Sequence, residues 1–114
     1  MSTSTLLTSL FQTKAWANIE LFAAVKSIDE ATQQPERHAA IRLLNHIYVV
    51  DQIFAAHLQG AQHAFTATNT PETPPLDALE ADVSSTDRWY VEYVASSSIQ
   101  QILIRLKKPM ILEF

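Results

Sequence analysis

The chain has no cysteine and a single glycine, Gly60, among 114 residues. Without cysteine there is no disulfide, no thiolate metal site and no thiol nucleophile. One glycine argues against glycine-rich phosphate loops and against the tight turns that sheet proteins need. No apolar run approaches the roughly 18 to 20 residues of a membrane span, so no membrane association is expected. Met1 to Leu10 lacks the basic and apolar regions of a signal peptide. Together with the missing cysteines, this makes the cytoplasm the expected location. Positive charge is also scarce: residues 1–98 carry five Lys/Arg against eleven Asp/Glu, whereas residues 99–114 carry three against one. An acidic body repels phosphate backbones, so no nucleic-acid partner is expected.

What is present is apolar residues at helical spacing. They make up 47% of the chain, enough for one packed domain rather than disorder. Three helices are predicted, over about 3–28, 35–65 and 74–96. On the first, Leu7, Leu10, Phe11, Leu21, Phe22, Val25 and Ile28 share a face, with Thr3 or Ser4 as cap. Lys14 and Asn18 fall on that same stripe. Either Lys14 snorkels and Asn18 bonds to a neighbouring helix, or both line a pocket. Pro35 suits the first turn of the second helix. Its apolar stripe is predicted as Leu43, Ile47, Val50, Phe54, Leu58, Ala61 and Phe65, with Gly60 tolerated late in the helix. The polar, proline-rich loop 66–75 follows. Thr73 is the expected cap of the third helix, with Pro74 at its first position and Leu76, Leu79, Val83, Tyr90 and Val94 on its buried face. The tail 99–114 fits a helix and a strand equally well.

Candidate chemistry centres on four histidines: His38, His46, His57 and His63. His46 and His57 lie at the edge of the second helix's apolar stripe, but eleven residues of helix separate them by roughly 16 Å, too far for one ion. No two histidines stand four apart. Asp51 projects well away from His46 and reads as a surface or pairing residue. Glu80, Asp82 and Glu92 read as a solvated face. Ser84, Ser85 and Ser96 to Ser98 have no base at useful spacing.

Several linked segments resemble the DinB-like family. LLNHIYVVDQIFAAHL, Leu43 to Leu58, is similar to that family's second helix. KAWANIELF, Lys14 to Phe22, is similar to its first, and NTPETPPLDALEADVSSTDRWYVEYV, Asn69 to Val94, to its loop and third helix. The resemblance spans roughly residues 5–97. It implies an all-α, up-down four-helix bundle that holds a divalent metal, often nickel or zinc, with three histidines. His46 matches the ligand position on the second helix. The other two ligands belong to an H-x-x-x-H pair on the last helix, and no histidine follows His63 in this sequence. The expected architecture is therefore a DinB-like bundle, 1–98, whose last helix is missing or replaced by an atypical apolar and basic tail, 99–114. The change of character near Ser96 matches a truncation or frameshift and equally a genuine shortened tail.

Two functions follow as expectations. One is a non-catalytic module that forms a homodimer through its exposed bundle face. The other is a metal-dependent transferase or hydrolase acting with a small thiol or other small molecule, with His46 as the surviving ligand.

Overall fold

The computed structural model describes residues 2–109. Among these there are four helices and no strand: α1 (Thr3–Lys26), α2 (Gln34–Gln59), α3 (Leu76–Ser96) and α4 (Ile99–Leu106). Residues 110–114 of the tail lie outside the described residues.

Each boundary has a local cause. Ser2, rather than Thr3 or Ser4, caps α1 by accepting a hydrogen bond from the Thr5 amide at 3.1 Å. α2 starts with Pro35 in its first turn, as expected. It stops six residues short of Phe65. Gly60 takes a left-handed conformation, φ 66°, and closes the helix with two bonds, from its own N–H to the His57 carbonyl and from the Ala61 N–H to the Ala56 carbonyl. This paired closure favours glycine because a Cβ is strained at positive φ. Gly60 thus ends the helix rather than lying within it. α3 starts at Leu76 behind Pro75 without a side-chain cap. Thr73, the expected cap, instead accepts from Arg42. The ambiguous tail resolves as helix through 106, because Ser98 and Gln101 form a capping box that satisfies two end amides.

The apolar face expected on α3 is buried: Leu76, Leu79, Val83, Tyr90 and Val94. On α1 the burial falls on Asn18, Phe22 and Val25, while Leu10 and Leu21 stay 56% and 47% exposed. The expected stripe on α2 requires a larger correction. Leu58 is buried, but Leu43, Ile47 and Val50 are 59%, 37% and 40% exposed. The residues that pack inward are Ile41, Leu44, Asn45, Val49, Ile53, Ala55 and Leu58. α2 is apolar on two sides. Periodicity found one apolar stripe but not the one that faces α3, and two of its members, Ala61 and Phe65, lie beyond the end of the helix.

The core forms two clusters. At one end, Phe22 and Val25 of α1 meet Ile41 and Leu44 of α2 and Leu76, Leu79 and Val83 of α3. At the other, Ala55, Leu58 and Tyr90 gather Phe11, Phe54, Trp89 and Tyr93 around them. Phe11 stacks on Tyr90 with ring centroids 5.1 Å apart. Burying each large apolar side chain contributes roughly 1.5 to 3 kcal/mol. Between the clusters lies a polar layer.

Candidate functional site

His46 sits half-buried on α2 beside the loop 60–75. Its Nδ1 lies 2.7 Å from the Thr68 carbonyl oxygen. A carbonyl only accepts, so Nδ1 is the donor, and in the neutral ring Nε2 is the nitrogen with the lone pair. The loop is stapled around this point. Asn45 donates to Asn69 Oδ1 and Thr70 Oγ1 at 2.6 and 2.7 Å, and Asn69 donates to the Arg42 carbonyl at 3.0 Å. A protonated Nδ1 held by a carbonyl is the arrangement that orients a metal-ligating imidazole. Yet among the described residues no group of three His, Cys, Asp or Glu side chains converges to hold an ion.

The other histidines lie elsewhere. His38 is exposed and lines a cleft with Glu30 and Arg37. His57 packs against the Phe54 ring at 6.2 Å and shares a cleft with His63, Arg105 and Lys108. His63 Nδ1 accepts from the Phe65 amide at 3.2 Å.

The most constrained polar group is the layer between the two core clusters. Lys14 Nζ bonds Asp51 Oδ2 at 2.7 Å and Asp87 Oδ1 at 2.9 Å, tying α1 to both α2 and α3. Asn18 Nδ2 donates to the second oxygen of Asp87 at 2.8 Å. The Tyr90 hydroxyl donates to the Asp51 backbone carbonyl. Alongside, Gln52 donates to Thr86 at 2.6 Å. Asp87 is only 4% exposed, and a buried carboxylate is stable only when paired and hydrogen-bonded. Both of its oxygens have partners.

Lys14 and Asn18 thus leave their helix face to meet a charge, which supports the reading that they bond neighbouring helices. Lys14 does so as an ion pair rather than by snorkelling. Asn18 also lines a cleft of about 360 Å³ between α1 and α3, together with Phe22, Val83, Ser84 and Asp87. Asp51 pairs as expected. Asp87 was missed, although its signal is in the sequence: it interrupts the α3 stripe between Val83 and Tyr90 just as Lys14 and Asn18 interrupt that of α1. Glu80, expected to be solvated, bonds Lys26 at 2.6 Å. Ser98 is a helix cap.

The electrostatics make this layer a brace. Burial alone would lower the Lys14 pKa, but hydrogen bonds and charges from Asp51 and Asp87 outweigh it and raise it above the ordinary lysine value. Lys14 therefore stays charged near neutral pH and is not available as a base or nucleophile. Burial, with the nearby Asp51 and Asp87 charges, pushes the Tyr90 hydroxyl far up as well. Neither Lys14 nor Tyr90 is poised to exchange a proton near neutrality.

No protein family, no curated protein and no solved structure matches this chain. Among the described residues, no helix is long and apolar enough to cross a membrane.

Proposed function

We propose that the chain is a non-catalytic helical module of DinB-like ancestry that forms a homodimer through its uncovered face. The observation that carries this reading is α2, a helix apolar on two sides with one side bare. A helix apolar all round belongs inside a bundle. Around the Lys14–Asp51 bridge, Asn18 and Phe22 turn toward α3, while Leu10 and Leu21 stay exposed on the flank of α1. Leu43, Ile47 and Val50 likewise project from α2 away from Gln52, which bonds α3. These five exposed apolar side chains on α1 and α2 are the candidate contact surface.

A second copy presents the same apolar face, so two copies can cover each other about a two-fold axis. Static light scattering at micromolar concentration tests the reading. A dimer mass is the expected result, and a stable monomer overturns it.

A second reading is favoured by the Thr68 bond that frees His46 Nε2. In it the chain is a divalent-metal protein, nickel or zinc, whose further donors come from another chain. Metal analysis of protein prepared without chelator tests this, alongside His46→Ala. No bound metal, or metal unchanged by the substitution, sinks it.

A further inference from the structure

The uncovered side of α2 has an order of its own. Glu36, Leu43, Val50 and His57 stand seven residues apart. Ala40, Ile47 and Phe54 repeat between them at the same interval; Ala40 and Phe54 are half-buried against the two core clusters, so the bare part of the line is Leu43, Ile47 and Val50. Alternating spacings of three and four place all seven within a band of about 60° on either side of one line along the helix. This is the seam pattern of helices that pack lengthwise. Its middle is apolar, and its two ends carry different charge. Glu36 stands at the start of α2. At the other end is His57, in a cleft whose walls include Arg105 and Lys108.

We infer that two copies pack α2 against α2 in antiparallel fashion about a two-fold axis near Ile47. This rests on the reading of the bare face as a contact between copies, and it adds the direction and centre of that contact. A two-fold contact joins the same patch on both protomers, so the seam must complement itself. Antiparallel packing brings Glu36 of each protomer to the basic end of the other, and keeps the apolar middle against itself. Parallel packing sets Glu36 beside its own copy, and Arg105 and Lys108 beside their own copies, like charge against like at both ends.

The absence of cysteine makes the test direct. Two single-cysteine variants, Ile47→Cys and Ala39→Cys, are oxidised mildly and run on a non-reducing gel, with light scattering on the reduced proteins. Ile47 lies at the proposed centre, so its two copies meet and a cross-linked dimer forms. Ala39 is on the same face but eight residues away, and antiparallel packing separates its two copies by about 24 Å along the axis. That is far beyond the roughly 7 Å limit between Cα atoms for a disulfide. The expected result is a cross-link at Ile47→Cys at least tenfold more abundant than at Ala39→Cys. Equal or greater cross-linking at Ala39→Cys overturns the antiparallel arrangement. So does a dimer by light scattering in which neither position links. A monomeric mass for the reduced wild-type chain instead removes the dimer itself.

Discussion

The two sides of α2 are nearly equal in hydrophobicity and opposite in circumstance. One carries Ile41, Leu44, Val49 and Ile53, all buried, and joins α3 through the Gln52–Thr86 bond. The other carries Leu43, Ile47 and Val50, which meet solvent. The difference lies in what the neighbouring helices bring. α3 offers the first side an apolar stripe and, in Asp87, a carboxylate that draws in Lys14 and Asn18. Nothing among the described residues offers the second side a matching surface. Burial in this chain is decided by partner supply rather than by the hydrophobicity of a helix face.

The covered side should therefore be costly to damage. Phe22→Ala empties a site in the larger core cluster and should destabilise the fold by about 3 to 5 kcal/mol, measured by urea denaturation.

Next comes the brace. Lys14→Met should cost about 3 kcal/mol, because it leaves the buried Asp87 carboxylate with Asn18 alone. The same brace predicts alkaline lability. Lys14 and Tyr90 both have folded pKa values raised above their unfolded ones. Their contribution is complete below the unfolded values, at about pH 10, and is lost as pH rises from there through the folded values. Thermal melts from pH 8 to 11 should show stability falling above about pH 10, with a shallower fall in Lys14→Met.

Gly60→Ala should have a smaller effect, about 1 kcal/mol, because alanine is strained at positive φ. The new Cβ would also come within 2.5 Å of the Arg105 guanidinium, a flexible group that can move. The smallest effect belongs to the bare side. Ile47→Ser should change the stability of the separated protomer by no more than about 0.5 kcal/mol, measured by urea denaturation at nanomolar concentration.

These contrasts also mark what was legible in advance. The three long helices, the α3 stripe and the Pro35 start were readable, because each depends on local spacing or on a residue with one conformational preference. The α2 face was not. Leu43–Ile47–Val50 and Ile41–Leu44–Val49 are both valid helical stripes, and only the position of α3 distinguishes them. The end of α2 was misplaced because apolar spacing continues through Ala61 and Phe65, past the one residue that closes the helix. Asp87 was readable in principle by the reasoning that singled out Lys14 and Asn18. His46 was located, and its contact with Thr68 came only with the fold of the loop.

The account's central claim is that the bare side of α2 is a contact between copies rather than incidental exposure. Two exposed isoleucines separate these alternatives: Ile47 on the α2 seam, and Ile19 on α1, which is more exposed at 64%. Light scattering on Ile47→Asp and Ile19→Asp at micromolar concentration, beside the wild-type chain, is the most direct measurement. The predicted result is a dimer for wild type and Ile19→Asp, and a monomer of unchanged helix content for Ile47→Asp. A monomeric wild-type chain, or a dimer that survives Ile47→Asp, contradicts it.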